Sequence, residues 1–97
     1  MKKTTKDAVG TSFHGTVINS SIAELKRVLG EPETEQNDGS DKVNVEWIME
    51  TEAGDVFTVY DWKEYRPIDE NESIEFHIGG DSASVTVQAQ REIITSL

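Results

Sequence analysis

The sequence predicts an α+β fold in two layers, an antiparallel sheet with two helices on one face, in the order β-α-β-β-β-α. Residues 43–62 form a β-hairpin pattern, in which two β-rich runs flank a short break at Gly54 and Asp55. Residues 22–29 carry helix start and stop signals on both sides. Residues 88–97 are compatible with a second helix because they contain neither glycine nor proline.

The chain has 97 residues, which is enough for one domain and not for two. Residues 1–10 are polar and lysine-rich, and they predict a flexible N-terminus. The single domain is predicted over residues 11–97. Its first strand is expected over residues 11–18, where Phe13 and Val17 share one face and a glycine between them indicates a bulge.

The first helix has a predicted start and a predicted end. Ser21 and Glu24 have the spacing of a capping box, in which the two side chains satisfy free backbone donors of the first turn. An apolar stripe follows at helical spacing, formed by Ile22, Leu25, Val28 and Leu29. Gly30 is placed for a left-handed cap, and Pro32 prevents continuation.

The hairpin is expected to form the centre of the sheet. Its first run alternates apolar residues (Val43, Val45, Trp47, Met49) with polar ones (Asn44, Glu46, Glu50). Successive side chains of a strand point to opposite faces, so one face is apolar and the other acidic. The second run, residues 56–62, is apolar on both faces, which predicts a central strand covered on both sides at one end.

The last third of the chain predicts one strand and one helix. Residues 74–78 alternate cleanly and indicate an antiparallel strand, which the glycines at 79–80 are expected to end. The next segment is ambiguous, because residues 84–87 are mostly β-branched whereas apolar residues recur every four positions. We predict a helix that begins at Asp81 or Ser82.

Charge is unevenly distributed along the chain. The net charge is −10, and residues 31–81 alone carry sixteen acidic and three basic residues. Direct binding of DNA or RNA is not expected, because affinity for phosphates comes from clustered Lys and Arg. A protein with a basic surface is the electrostatic complement, and an acidic surface that only aids solubility is the equal alternative. The predicted acidic surface comprises Glu46, Glu50, Glu52 and Asp55.

Several classes of protein are disfavoured by composition. The absence of cysteine excludes disulfides and thiolate metal sites. No stretch approaches the ~20 apolar residues of a membrane span, and no apolar run follows Lys2 and Lys3 as in a signal peptide. We therefore expect no membrane association and favour the cytosol.

Residues 60–66 interleave aromatic and basic side chains and form the only basic island of the acidic segment. Tyr, Trp and Arg dominate binding hot spots, and aromatic rings beside cations can also stack a nucleobase and hold a phosphate. The alternative is that the aromatic residues are core and that Lys63 and Arg66 balance nearby acids. The predicted binding residues are Trp47, Tyr60, Asp61, Trp62, Lys63, Tyr65, Arg66, His77, Gly79 and Gly80.

Catalytic and metal chemistry are weakly indicated. His14 and His77 both lie on predicted strands and could flank a carboxylate, but their spacing does not support a metal site. No nucleophile-elbow pattern is present. Asp81, after the two glycines, would occupy the backbone donors that a phosphate needs, which favours a capped turn over an anion site. We predict no enzyme, metal or cofactor.

Several short motifs resemble a pattern in small uncharacterised proteins of tailed bacteriophages. They are Leu29-Gly30-Glu31-Pro32, Lys42-Val43, Glu46-Trp47, Tyr60-Asp61-Trp62-Lys63-Glu64-Tyr65 and His77-Ile78-Gly79-Gly80. The resemblance covers roughly residues 13–90, and the C-terminal segment departs from the charged helix of the pattern. It implies a phage accessory protein in the bacterial cytoplasm, of a kind that binds and blocks a host factor.

Charge, aromatic residues and resemblance together predict a small acidic binding protein that inhibits a bacterial host or defence factor. The expected partner is a host protein with a basic surface. The alternative is a small-ligand binder that sequesters a signalling nucleotide through Trp47, Trp62, Lys63, Arg66 and a turn at Gly79-Gly80. Association into a homo-oligomer stays open.

Overall fold

The computed structural model describes residues 1–97 and has the predicted α+β fold. The strands are β1 (Lys2–Lys3), β2 (Ser12–Ser20), β3 (Thr34–Glu35), β4 (Val45–Glu50), β5 (Val56–Tyr60) and β6 (Ile74–Gly80), and the helices are α1 (Ile22–Leu29) and α2 (Ala83–Ser96). All strand pairs are antiparallel, in the order β1-β4-β5-β6-β2, and β3 also pairs with β4. The larger elements follow the predicted order. Neither helix has the length and apolar character needed to cross a lipid bilayer.

One face of the sheet forms the hydrophobic core beneath the two helices. Trp47 lies opposite Val59, which in turn lies opposite Ile78, so the three side chains share this face. The apolar stripe of α1 and Ala89 and Ile93 of α2 belong to the same buried cluster. Both helices therefore cover the same face of the sheet, as predicted.

The opposite face carries no helix. We call it the open face, and on the three central strands it presents Glu46, Ile48, Thr58, Tyr60 and His77. Tyr60 is the register partner of Glu46 on one side and of His77 on the other. Strand β5 is covered on both sides at one end, as predicted, because Val56 and Thr58 are buried although they point away from the helices.

The segment between β1 and β2, residues 4–11, crosses the sheet. β1 and β2 lie at opposite edges, so this segment has to span the width between them. Lys6 donates a hydrogen bond to the Gly54 carbonyl in the turn of the hairpin and forms an ion pair with Glu50 at 3.6 Å. The prediction of a flexible stretch over residues 1–10 did not foresee β1, where Lys2 pairs with Glu50 and Lys3 with Met49.

The outer edge of β4 is sealed by two short pieces of chain. β1 pairs with the end of β4 at Met49, and β3 pairs with its beginning at Val45. Between them the Glu33 carboxylate accepts a hydrogen bond from the Ile48 backbone N–H at 2.7 Å. Lys3 holds that carboxylate in place through an ion pair at 3.1 Å. Backbone donors that an edge strand normally exposes are thereby satisfied.

Helix α1 begins and ends where the sequence predicts. The Ser21 hydroxyl accepts a hydrogen bond from the Glu24 backbone N–H at 3.1 Å, and Gly30, with φ 85°, donates its N–H to the Lys26 carbonyl. The glutamate half of the predicted capping box differs, because the Glu24 carboxylate accepts from the Ser20 hydroxyl. The serine cap alone therefore satisfies a backbone donor of the first turn.

Replacing Ser21 by alanine is expected to lower the free energy of unfolding by about 1 kcal/mol, because the Glu24 N–H loses its partner. Urea denaturation followed by circular dichroism measures the change. Ser73→Ala is the control, since Ser73 is exposed in the loop before β6. Equal stability of Ser21→Ala and the control would show that the cap contributes nothing.

Two predictions about the C-terminal third need correction. Gly79 and Gly80 do not break the strand after Ile78 but are its last two residues, because both are paired with β5 on one side and β2 on the other. The cap of α2 is Ser82 and not Asp81, since the Ser82 hydroxyl accepts from the Val85 N–H at 3.3 Å. Residues 84–87 are helical in spite of their β-branched side chains, because Thr86 is buried against β2 and bonds to Thr16 at 2.7 Å.

Candidate functional site

Four aromatic rings from three strands and a loop meet on the open face. The ring of Phe13 stacks on His77 at a centroid distance of 4.0 Å, and Tyr60 meets the rings of Trp62 and His77 edge-on. Trp62, two residues past the end of β5, lies 6.2 Å from His77. We call these four residues the aromatic cluster. Phe13 and Trp62 remain 42% and 41% exposed, which is unusual for large apolar side chains in contact with one another.

The backbone of β2 and β6 places two of these rings. Phe13 pairs with Gly79 and Val17 with His77, so β2 contains two more residues than β6 between these partners. Gly15, with φ 89°, lies within this bulge, as its presence in the strand predicted. Because the bulge adds an even number of residues to β2, Phe13 points to the same face of the sheet as Val17. Phe13 therefore lies on the open face, beside His77.

A cleft of ≈ 350 Å³ lies beside the aromatic cluster. It is lined by Ala8, Thr11, Ser12, Val43, Glu46, Thr58, Tyr60, Trp62 and Gly79. Gly79 is required at this position, since a Cβ there would lie 2.6 Å from the Thr58 hydroxyl oxygen. The segment that crosses the sheet contributes the far wall of the cleft, through Ala8 and Thr11.

Glu46 is the only ionised side chain that lines this cleft, and it has no partner. It takes part in none of the ion pairs of the structure, and no side-chain hydrogen bond reaches its carboxylate. Every fully buried side-chain oxygen or nitrogen atom of the structure has a hydrogen-bond partner. The Glu46 carboxylate oxygens have none, so they are in contact with solvent. Burial raises the pKa of Glu46, and the nearby charge of Glu33 adds to the effect.

The neighbouring titratable groups respond to the same surroundings. Burial raises the pKa of Tyr60, with a further contribution from Glu46. Burial lowers the pKa of His77, and Glu75 acts in the opposite direction. His77 therefore favours its neutral form, which suits a ring stacked between other rings.

Two lysines form the rim of the cluster. The Nζ atoms of Lys63 and Lys42 lie 5.5 Å and 6.0 Å from the centroid of the Trp62 ring. Both distances allow a cation–π attraction. Lys63 has a left-handed backbone, with φ 56°, and its N–H donates to the Lys42 carbonyl at 2.8 Å. The two lysines are thus positioned by a direct backbone contact.

A second cavity, of ≈ 340 Å³, lies at the end of α2 and is lined mainly by polar side chains. Of its two carboxylates, Glu92 already pairs with the Met1 amino group at 3.2 Å and accepts from the Glu52 N–H, while Glu52 is exposed in the turn between β4 and β5. A group that is already satisfied has little to offer a ligand. We therefore take the open face as the candidate site.

The structure brings half of the predicted binding residues together on the open face. These are Tyr60, Trp62, Lys63, His77 and Gly79, together with Glu46 from the predicted acidic surface. Sequence reasoning missed Phe13, Lys42 and Thr58. The available signals were the shared face of Phe13 and Val17 and the Lys42-Val43 motif of the resemblance, and neither assigned a binding role to Phe13 or Lys42.

Three predicted binding residues, Trp47, Gly80 and Asp61, are buried and stabilise the fold. Trp47 is fully buried, and its indole N–H donates to the Gly30 carbonyl at 2.8 Å. Gly80 lies under α2, where an added Cβ would lie 3.1 Å from side-chain atoms of Val85 and Thr86. Trp47 and Gly80 therefore lie against the two helices, on the core side of the sheet.

Asp61 is the third. It is fully buried, and its carboxylate accepts from the Asn44 and Val45 N–H groups at 2.8 Å and 3.0 Å. The Asn44 side-chain amide donates to the other carboxylate oxygen at 3.0 Å. This carboxylate fastens the start of β4 to the end of β5.

The predicted basic island is divided. Lys63 stays beside Trp62, but Arg66 forms a two-pronged ion pair with Glu72, with one bond of 2.9 Å. Tyr65 has a left-handed backbone, with φ 52°, and is 55% exposed. For Arg66 the structure favours the alternative, in which the residue balances a nearby acid.

The predicted acidic surface is also divided. Glu46 lies in the cleft, whereas Glu50 is buried and is paired with Lys6. Glu52 and Asp55 are exposed in the turn between β4 and β5. The four residues therefore do not act as one patch of free charge.

The two histidines do not meet at a common site. His77 belongs to the aromatic cluster, while the His14 Nε2 atom lies 3.0 Å from the Gly80 carbonyl oxygen and 3.2 Å from the Ser12 hydroxyl. A ring N–H that donates to that carbonyl cannot accept the proton of Ser12. No three His, Asp or Glu side chains are grouped as metal ligands.

The open face therefore offers stacked rings, a cleft with one free carboxylate and two lysines at the rim. This combination provides recognition by stacking, apolar contact and charge. The chain matches no protein-family model, no curated protein and no solved structure.

Proposed function

We propose that this protein is a non-enzymatic binding protein whose partner protein covers the aromatic cluster of the open face. The observation that carries the proposal is the cluster itself, four contacting rings on the side of the sheet that neither helix covers. Aromatic residues are enriched in the centres of interfaces, where a few of them supply most of the binding energy. A large exposed apolar group is otherwise a liability for a protein in water.

The cluster is prepared for binding before a partner arrives. Phe13, Tyr60 and His77 lie on adjacent strands of the central sheet, and the contact between Lys63 and Lys42 holds the chain next to Trp62. Rings fixed in this way lose little conformational freedom on association. The free energy of contact is therefore available to bind the partner.

The nature of the partner follows from charge and from the phage resemblance. A protein with a net charge of −10 attracts a basic surface over a long range. The resemblance extends the proposal to a phage accessory protein that binds and inhibits a bacterial host or defence factor in the cytoplasm. An encounter steered by charge weakens as ionic strength rises, whereas contacts of the aromatic cluster do not.

Replacing Trp62 by alanine is expected to weaken partner binding by roughly 30-fold, the equivalent of about 2 kcal/mol for a hot-spot residue. The unfolding midpoint should change little, because Trp62 is 41% exposed. The assay is quantitative capture from a bacterial lysate, followed by titration of the captured protein in purified form.

Ile94→Ala is the matched control for this substitution. Ile94 is 55% exposed, on α2 and outside the core cluster, so the change removes a similarly exposed apolar side chain away from the aromatic cluster. The proposal predicts parent-like binding for Ile94→Ala and a loss for Trp62→Ala. Equal affinities of Trp62→Ala, Ile94→Ala and the parent would contradict it.

A nucleotide is the second candidate ligand, and the cleft is the observation in its favour. Its volume, ≈ 350 Å³, lies at the lower end of the range for small-molecule sites. Trp62 could stack a base while Lys42 and Lys63 hold a phosphate. Trp47, Arg66 and a Gly79-Gly80 turn no longer belong to that set.

Thermal shift against a panel of nucleotides separates the two candidates. A ligand present at 100 times its dissociation constant adds about 2.7 kcal/mol to the stability of the protein. A shift that Trp62→Ala abolishes would support a nucleotide site. If no nucleotide gives a shift, the nucleotide candidate is excluded and the protein partner is the proposal that remains.

A further inference from the structure

Among the acids on the strands of the sheet, Glu46 alone is partly buried and has no cation, whereas Glu75 is unpaired but exposed. Glu33 pairs with Lys3 at 3.1 Å, Glu35 with Lys26 at 3.0 Å, and Glu50 with Lys6. Glu46 lies on β4 itself, is half-buried and has no such partner. A charge that is partly withdrawn from water without a partner is unfavourable. A cation supplied from outside the chain would remove that cost.

We propose that the cleft beside Glu46 receives one arginine side chain of the partner protein. The guanidinium group binds the Glu46 carboxylate and lies against the rings of Tyr60 and Trp62. The inference rests on the proposed function, since it names the group by which the partner fills the cleft next to the aromatic cluster.

Three features of the cleft favour arginine over lysine. Its walls include two aromatic rings, on which a flat guanidinium stacks and a compact ammonium does not. The carboxylate of Glu46 has both oxygens free and can accept two parallel N–H bonds. Thr58 and Tyr60 add hydroxyl groups to the lining, so further guanidinium donors have acceptors at hand.

The two rim lysines limit which arginine can enter. Lys42 and Lys63 lie over Trp62 and make the outer edge of the cluster positive, while the cleft itself carries the charge of Glu46. A run of several basic residues would meet repulsion at that rim. The arrangement therefore selects a single arginine whose immediate neighbours in the partner are acidic or uncharged, so the basic surface of the partner lies away from this rim.

The test uses four small probes and the full chain. The probes are the end-capped tripeptides Gly-Arg-Gly, Gly-Lys-Gly and Gly-citrulline-Gly, together with guanosine monophosphate. Each is titrated to millimolar concentration while ¹⁵N–¹H spectra follow the Trp62 indole N–H and the Thr58 and Gly79 amides. The buried Trp47 indole, bonded to Gly30, serves as the internal reference and should not move.

We expect the arginine peptide to shift the three cleft signals, and Glu46→Gln to weaken its binding by about tenfold, the effect of losing one charge-assisted contact. Glu75→Gln is the matched control, because Glu75 is an exposed carboxylate on the same side of the sheet but does not line the cleft. The control should bind the arginine peptide like the parent. The citrulline peptide, which has the same shape without the charge, should not bind.

Equal binding of the arginine peptide to Glu46→Gln and the parent would overturn the inference, as would equal binding of citrulline. If the lysine peptide binds as strongly as the arginine peptide, the cleft recognises positive charge alone, and the inference that it selects a planar guanidinium group is wrong. Binding of guanosine monophosphate that depends on Glu46 would make the cleft a nucleobase site. If Glu46→Gln captures the partner like the parent while Trp62→Ala does not, the proposed function stands and the arginine inference fails.

Discussion

Replacing Trp47 by alanine is expected to lower the free energy of unfolding by about 3–5 kcal/mol. The indole ring is fully buried under the helices and packs edge-on against Phe76 at 6.2 Å. Its N–H bonds to the Gly30 carbonyl and so ties the end of α1 to the sheet. Alanine leaves a large cavity and an unpaired carbonyl. Since small domains have about 5–15 kcal/mol of total stability, this single change removes a large part of it.

Guanidinium denaturation of three variants measures this effect. Trp47→Phe keeps an aromatic ring and loses the hydrogen bond, so its loss should be smaller than that of Trp47→Ala. Trp62→Ala is the comparison for a tryptophan on the open face and should cost far less. Comparable losses for Trp47→Ala and Trp62→Ala would mean that the two faces of the sheet do not differ as described.

Replacing Asp61 by alanine is expected to cost about 3 kcal/mol or more. Each buried donor that loses its acceptor costs about 1–3 kcal/mol, and Asp61 serves the Asn44 N–H, the Val45 N–H and the Asn44 side-chain amide. These donors hold the first residues of β4 against the chain that follows β5. Their loss should loosen the hairpin at that end.

Hydrogen exchange at the Asn44 and Val45 amides locates the damage, and urea denaturation measures its size. Asp69→Ala is the control, because Asp69 is an exposed aspartate whose carboxylate serves a local turn N–H. The prediction fails if Asp61→Ala loses under ~1 kcal/mol, as would happen if water replaced the carboxylate without loss. The expected pattern is an increase in exchange rate that is largest at Asn44 and Val45.

The sequence could predict the elements whose signals are local. Ser21 and Gly30 bracket α1, and alternation in β4 places Trp47 on the apolar face. The alternation of residues does not show which face of the sheet Trp62 occupies, because its face is set by the register between β4 and β5. The pairing of Trp47 with Val59 places Tyr60, and with it Trp62, on the open side.

The elements that the sequence could not predict are set by distant contacts. β1 and β3 are two residues long, too short for any periodicity, and exist because β4 offers them an edge. Gly79 and Gly80 are typical of a strand end when considered alone. In the fold both belong to the strand: at Gly79 the Thr58 hydroxyl leaves no room for a Cβ, and at Gly80 side chains of α2 make the space tight.

The candidate site was predictable only where its residues are close together in the sequence. Tyr60, Trp62 and Lys63 are adjacent in the chain, so their clustering was visible. Phe13 joins them only through the pairing of β2 with β6. Arg66 is not part of the aromatic cluster, because its guanidinium forms an ion pair with Glu72. Residue spacing does not predict this contact across a loop.

The sealed edge of β4 has a consequence for the order of folding. The hairpin of β4 and β5 closes over a short turn, so it can form early. β1 reaches its place from almost half the chain length away, and it needs Lys3 to meet Glu33 as well. Loop closure over that distance comes late. During refolding the end of β4 at Met49 therefore stays a bare edge until β1 arrives, and incompletely folded chains at high concentration can pair through it and aggregate.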